Sequence, residues 1–317
     1  MSKINETPQS NILLTGACGY VGHALIPKLG SAPLYTIDRA HDNEISQVSR
    51  KFICSDLNKL SSEDKTFLTT YIGTVIHLAA ARSDDSYKKK YIDDNLNATK
   101  SFLDALNPNG IKMFIHIGSV AAIDGEILEK KGSTISSSDD WYRISKFQQQ
   151  KIIELWAKEN KVSLIILAPS AIYDSNAGNN MTNIGRLEKI VTFLKVVPEI
   201  NVLKSLTSMS SLTDTIRYFL KVSTKNNNYD NNNLIQRFLV LDKPIMTITE
   251  ICKKKFNIKF VIKIPKLKTL LFFLASILEM MHLTRKLPLS KDRVVKLFKP
   301  TDYKNIAGYK EWNNEEV

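Results

Sequence analysis

The sequence predicts an α/β protein, a parallel sheet doubly wound by helices on both faces, followed by a smaller and less regular α/β region. Three observations predict it. Short apolar runs alternate with amphipathic stretches through the first half of the 317 residues, as strands joined by helical crossovers do. The first run opens directly into a glycine-spaced turn, Gly16-Ala17-Cys18-Gly19-Tyr20-Val21-Gly22. The residues suited to chemistry also fall just after such runs, at the carboxyl ends of the expected strands, where open α/β sheets bind their ligands.

Taken in order, Asn11 to Thr15 reads as the first strand, and His23 to Leu29 as the helix after the glycine turn. Strand, glycine turn and helix start is the order that lays backbone N–H groups against a dinucleotide pyrophosphate. The spacing is G-x-x-G-x-x-G, and Pro27 predicts a kink or an early stop. Leu34 to Ile37 is a second run, ending at Asp38, 22 residues after Gly16. There an acidic side chain can take the ribose hydroxyls. A third run, Phe52 to Cys54, leads to Ser55-Asp56-Leu57, suited to an adenine edge. The fourth, from Thr74, ends in His77-Leu78-Ala79-Ala80-Ala81, whose small residues admit a ligand close to the backbone. A helix is expected over Tyr91 to Leu106, a fifth strand over Met113 to Ile117 before Gly118-Ser119, and a sixth over Ser163 to Leu167 that stops at Pro169.

Between the fifth and sixth runs lies Tyr142-Arg143-Ile144-Ser145-Lys146, on an amphipathic stretch that continues to about Asn160. Residues four apart share a helix face, so the Tyr142 phenol and the Lys146 ammonium can address one site. A free phenol, with a pKa of roughly 10, is a poor base at neutral pH, and a nearby cation favours its phenolate. The alternative is a chance pair on a solvated helix, which the ordered motifs upstream outweigh.

Later elements are less regular. Ser175 to Asn183 reads as a loop, Ile184 to Val197 and Ser211 to Val222 as helices, Lys225 to Asn233 as a low-complexity surface loop and Arg237 to Leu241 as a strand. The apolar run Thr269 to Leu278 is too short for a membrane span. It reads as a core or lid helix, with an anionic bilayer surface as the alternative resting place. The domains are therefore expected at 1–170 and 171–317, with some later segments returning to the first sheet.

The net charge of +12 is carried entirely after residue 160, and Lys243 to Lys310 holds 16 basic against 4 acidic residues. Such a block suits phosphorylated ligands, an anionic membrane or nucleic acid, or forms a solvated face. Arg293 and Lys296 are candidates to grip a diphosphate. Cys18, Cys54 and Cys252 are scattered and lack metal-site spacing, which fits a reducing cytoplasm without a metal. Cys18 reads as a small buried filler, and His77 and His116 as core histidines. The N-terminal residues carry no signal-peptide pattern.

The ordered set of GACGYVG, Asp38, Asp56-Leu57, HLAAA at His77 to Ala81, Asn95, Ser119 and YRISK resembles the extended short-chain dehydrogenase/reductases, in their sugar-nucleotide epimerase/dehydratase branch. The match is good over about residues 11–180. Beyond it, Pro169 to Tyr173 and Gly178-Asn179 resemble the family's substrate segments more loosely. The resemblance implies a Rossmann-like domain that binds NAD, with NADP possible, and a C-terminal substrate-binding region. It assigns acid–base catalysis to Tyr142. Lys146 holds the nicotinamide ribose and lowers the tyrosine pKa, and Ser119 contacts the reacting sugar oxygen. The cofactor falls to Gly16, Gly19, Tyr20, Val21 and Gly22 at the pyrophosphate, Asp38 and Arg39 at the ribose, and Asp56 and Leu57 at the adenine. Leu78, Ala79, Ala80, Asn95, Tyr142, Lys146 and Pro169 complete its site. Ala81, Ser119, Asn179 and Arg293 are the substrate candidates.

This chain departs from the family where substrate binds. Ile123-Asp124 stands in place of a Tyr-Gly pair, Ala168 in place of the arginine before proline, and Asp174 in place of a glycine. The Thr-Asp-Glu of the dehydratases is absent around Ser119, which turns the expectation to an epimerase or a 4-ketoreductase of a nucleotide sugar, a UDP-hexose derivative used in surface-polysaccharide assembly. Other readings are a membrane-associated 3-hydroxysteroid-type dehydrogenase and an inactive NAD(P)-sensing protein. The expected partners are a nucleotide-sugar substrate, a second copy as homodimer, and peripherally the inner face of an anionic membrane, with no nucleic acid, and the expected location is the cytoplasm.

Overall fold

The structure is a computed structural model that describes residues 11–81, 88–132, 138–174, 192–225, 234–280 and 291–312. The chain divides into two compact units. One comprises Met1–Ser170, Met209–Val240 and Asn305–Val317, and the other Ala171–Ser208 and Leu241–Lys304.

The first unit is built on an eight-stranded sheet, parallel throughout. Its first six strands are β1 (Ile12–Thr15), β2 (Leu34–Asp38), β3 (Lys51–Cys54), β4 (Thr74–His77), β5 (Met113–Ile117) and β6 (Leu164–Pro169). Across the sheet the order is Lys310–Glu311, Ile235–Val240, β6, β5, β4, β1, β2, β3. The order reverses between β1 and β4, the switch point at which doubly wound sheets open a crevice for ligands. β1, β4, β5 and β6 are buried at every residue, which is why they read as unbroken apolar runs rather than alternating ones. Leu13, Val75, Phe102, Phe114, Ile153 and Leu164 fill the core between sheet and helices.

Local chemistry sets the helix ends. Asp42 caps Asn43–Val48 by accepting from Glu44 N and Ile45 N, and Ser61 and Asp64 form a reciprocal capping box on Ser62–Tyr71. The helix after the glycine turn, Tyr20–Leu25, tightens at Pro27 into the 3-10 turn Ile26–Lys28, as proline dictates. The helix expected over Tyr91 to Leu106 is instead three pieces: α-helical Lys88–Tyr91, a π-helical turn Ile92–Asn97 and α-helical Ala98–Asp104. The wider turn brings Asn95 into the protein, where it is wholly buried.

Among its described residues the second unit holds three two-stranded sheets and the helices Ile248–Lys255, Leu267–Met280 and Lys291–Phe298. The helix expected to run to Val197 gives way to a strand, Val196–Pro198, paired in parallel with Phe260–Ile262. Two adjacent β-branched residues and a proline favour extended backbone over helix. The loop over 175–183 and the helical stretch over 184–191 lie outside the described residues. So do the low-complexity positions 226–233. The apolar run expected as a core or lid helix lies in the Leu267–Met280 helix. Leu267, Leu271 and Ala275 face the unit's interior, while Leu270, Phe272, Phe273 and Leu274 are exposed. No described helix is long and apolar enough to cross a membrane.

Candidate active site

The functional candidates of the first unit gather at the carboxyl ends of its strands. At the end of β1 the chain turns back at once, Gly19 N donating to Gly16 O at 3.1 Å. Gly16 has φ +72°, and a Cβ there would lie 2.8 Å from Ala79 N. A Cβ on Gly22 would stand 2.1 Å from Ala17 O, so this glycine lets the Tyr20–Leu25 helix close on the strand. Gly19 opens that helix without a side-chain cap, so no capping side chain takes up the first N–H groups. Tyr20 and Val21 follow as its first residues. This cradle fits a dinucleotide diphosphate.

Beside it, Asp38 at the end of β2 is held by two backbone donors. Its Oδ2 accepts from Cys18 N at 3.0 Å and its Oδ1 from Ala40 N at 2.9 Å. Each oxygen keeps acceptor capacity for ribose hydroxyls. Arg39, the residue that would welcome a 2′-phosphate, donates to Asp94 Oδ2 at 3.0 Å, and Lys90 Nζ reaches the same oxygen at 2.6 Å. Burial penalises the charge on Asp94, but the two cations outweigh it and hold its pKa below the usual carboxylate value. Both features favour NAD over NADP. Asp56 accepts from Asn58 N at 2.8 Å and caps the turn Leu57–Lys59. Leu57 is part of the core, so only its backbone is available to an adenine.

Cys18 is half-buried rather than a filler. Ala17, with no exposed surface, takes that place. The Cys18 thiol lies 3.3 Å from Ala40 O, and burial together with the Asp38 charge pushes its pKa up to about 12.

The end of β5 supplies Ser119, N-cap of the Val120–Lys130 helix. Its Oγ accepts from Ala121 N at 3.1 Å, which leaves the hydroxyl hydrogen to donate. The Ser138–Glu159 helix carries Tyr142, Ser145, Lys146 and Gln149 on one face. The two helices pack closely because of Gly125, whose Cβ would lie 2.1 Å from Arg143 O. Tyr142 is half-buried, with its ring centroid 5.9 Å from that of Tyr91. Asn95 joins the parts: its Oδ1 accepts from Ala81 N at 2.7 Å and its Nδ2 donates to Ser145 Oγ at 2.8 Å. Ser145 Oγ in turn donates to Tyr142 O at 2.8 Å.

Lys146 is only 3% exposed, and burial lowers its pKa to about 8. It remains a cation at neutral pH. Its Nζ donates to Gln149 Oε1 at 2.7 Å, and Gln149 Nε2 donates to Thr99 Oγ1 at 3.0 Å and Ala79 O at 3.3 Å. His77 lies below, 2.8 Å from Thr15 Oγ1, its pKa lowered to about 3 by burial and by the Lys146 charge. It is a neutral core histidine, and His116 is buried beside it. This ladder of Gln149, Thr99, His77 and Thr15 was not legible in the sequence as part of the site. Gln149 stands in a Gln-Gln-Gln run that carries no motif, and its position three after Lys146 is the one signal that could have found it.

Leu78, Ala79 and Ala80 follow β4 beside the glycine turn, and Ala81 and Pro169 are buried. Of the remaining substrate candidates, Asn179 lies outside the described residues. Arg293 belongs to the Lys291–Phe298 helix of the second unit, its side chain outside the description.

Fold and site together define a dinucleotide-binding α/β protein of the Rossmann type. The chain belongs to the NAD dependent epimerase/dehydratase family, whose model matches residues 12–233. Among curated relatives it is 27% identical over 218 residues to the N-acetyl-α-D-glucosaminyl-diphospho-ditrans,octacis-undecaprenol 4-epimerase of Escherichia coli O157:H7, covering 67% of this chain and 63% of that one. The chain thus spans less than two thirds of that relative's length. Among solved structures, the terminal R domain of the myxalamid PKS-NRPS pathway superposes with a TM-score of 0.67 at 17% identity, over 92% of this chain and 79% of that one. The UDP-N-acetylglucosamine 4-epimerase of Bacillus cereus does so with a TM-score of 0.59 at 18% identity, over 80% and 85%. These structural likenesses establish the fold.

Proposed function

We propose that this chain is an NAD-dependent enzyme acting at C4 of a sugar diphosphate ester, a UDP-hexose derivative used in surface-polysaccharide assembly, with 4-epimerisation as its reaction. The observation that carries the reading is one helix face holding Tyr142 above a buried, still cationic Lys146, with the Ser119 hydroxyl on the neighbouring strand end. Bound NAD supplies the acceptor and later the donor of hydride. The protein moves the matching proton. Tyr142 takes it from the C4 hydroxyl and returns it, Ser119 donates a hydrogen bond to the same oxygen, and Lys146 holds the ribose and favours the phenolate. The intact set speaks against a sensor that has lost catalysis, and the sugar diphosphates named for the relatives speak against a hydroxysteroid.

The test is to incubate the purified chain with UDP-N-acetylglucosamine and with UDP-glucose and follow the anomeric proton signals by NMR. Appearance of the C4 epimer without net change in NADH is the expected result. Stoichiometric consumption of added NADH by a 4-keto sugar would make the enzyme a ketoreductase with the same half-reaction. Tyr142→Phe should leave NAD binding in place while turnover falls on the order of 10²–10⁴-fold. Substantial activity in that variant overturns the assignment.

A further inference from the structure

The Leu267–Met280 helix of the second unit is apolar on two opposite faces. One stripe, Leu267, Leu271 and Ala275, packs into the unit's own core. The other, Leu270, Phe273 and Met280, is spaced by three and seven residues, also a helical repeat, and points outward, Phe273 being 63% and Met280 75% exposed. Among the described residues of the unit, none covers this second stripe. The chain leading into the helix repeats the pattern: Phe260 is 70% exposed, and Ile262 and Ile264 alternate with it on the outside.

Charge identifies what covers these side chains. From Ile251 to Met280 the sequence carries seven lysines, Lys253, Lys254, Lys255, Lys259, Lys263, Lys266 and Lys268, against one acidic residue, Glu279, which Lys291 Nζ takes up at 3.3 Å. All seven lysines are exposed. A second copy of the same face would bring like charges together. An anionic bilayer satisfies both features, because aromatic and aliphatic side chains enter the acyl boundary while lysines beside them meet lipid phosphates. The helix has 14 residues, too few to span a bilayer but enough to lie in its interface.

We propose that the second unit docks on an anionic membrane surface through the Leu267–Met280 helix and the Phe260–Ile264 segment. The proposal concerns binding and is independent of the reaction. A sugar diphosphate carried on a lipid, as named for the Escherichia coli relative, would then be met at the surface that holds it.

The experiment is co-sedimentation of the whole chain with vesicles of phosphatidylglycerol and phosphatidylcholine at ~0.15 M salt, where only close charge contacts persist. The expected result is pelleting with the anionic vesicles, and a bound fraction reduced at least about tenfold both on pure phosphatidylcholine and in Phe273→Asp. Lys259→Gln combined with Lys263→Gln is the second variant. It leaves every apolar contact in place and should weaken binding to the anionic vesicles while flattening its dependence on salt. Equal pelleting of parent and both variants, or no pelleting with the anionic vesicles, overturns the proposal. So does a chain that forms a dimer in sedimentation velocity which Phe273→Asp dissociates, because the stripe would then be a protein interface. Retention of NAD by each variant shows that its first unit is folded.

Discussion

Lys146 shows how much the fold commits to one charge. Its ammonium is buried without a carboxylate partner in the described contacts, held by the neutral amide of Gln149. Folding lowers its pKa from 10.5 to about 8, a displacement worth on the order of 3 kcal/mol. The sign follows from proton counting. Between about pH 8 and 10.5 the unfolded chain binds more protons at this site, so stability rises with pH there. Below pH 8 the whole penalty is present. Lys146→Met keeps the length and removes the buried charge, so it should raise Tm at pH 7 while abolishing turnover. The gap in Tm between variant and parent should narrow when both are melted near pH 9.5. A variant less stable than the parent at pH 7 would show that the Gln149 bond outweighs the desolvation. Catalysis should also weaken above pH 8 as Lys146 loses its proton.

At the scale of elements, the π-helical turn Ile92–Asn97 decides the site's geometry. An ordinary α-helix would not deliver Asn95 to Ala81 N and Ser145 Oγ together, and through those bonds one side chain ties the end of β4 to the Tyr142 helix. Widened turns of this kind are found at functional sites because they re-aim a side chain at the expense of regular hydrogen bonding. Asn95→Ala would leave a buried N–H without its acceptor, costing about 1–3 kcal/mol. The expected outcome is a lower Tm, with turnover falling more than NAD affinity because Ser145 and the Tyr142 backbone lose their tether. An unchanged melting curve would mean that water replaces the amide.

For the whole molecule, the late segments complete the first unit. Ile235–Val240 pairs with β6 along six residues, and Lys310–Glu311 pairs with Ile235–Val240 in turn. Trp312 N then donates to Leu239 O at 2.9 Å. The Trp312 ring closes an aromatic group with Tyr218, Phe219 and Phe238, at centroid distances of 4.8, 5.2 and 5.9 Å. Trp312→Ala should cost about 3–5 kcal/mol, the usual range for a buried tryptophan. Thermal unfolding followed with bound NAD would show the loss in the cofactor-binding unit, although the substitution lies far from the glycine turn in sequence. Loss confined to a separate transition without NAD protection would contradict this.

What the sequence by itself determined was whatever depends on short-range pattern. Buried parallel strands need unbroken apolar runs, a diphosphate cradle needs glycines where a Cβ would collide, and a Tyr-x-x-x-Lys pair needs only the helical repeat. These features placed the sheet, Asp38, Ser119, Tyr142 and Lys146. Only the tertiary structure decided the rest, because it depends on what distant segments bring to a residue. Gln149 belongs to no motif, and Thr99 and Ala79 meet it only in the folded chain. Arg39 reads as an open cation until Asp94 takes it up, and Val196 as the end of a helix until Phe260 to Ile262 offers it a strand. Likewise the Leu267–Met280 helix reads as a core or lid helix by composition, and packing puts Leu267, Leu271 and Ala275 inside while Leu270, Phe273 and Met280 stay outside, because the described core of the second unit meets one face of it.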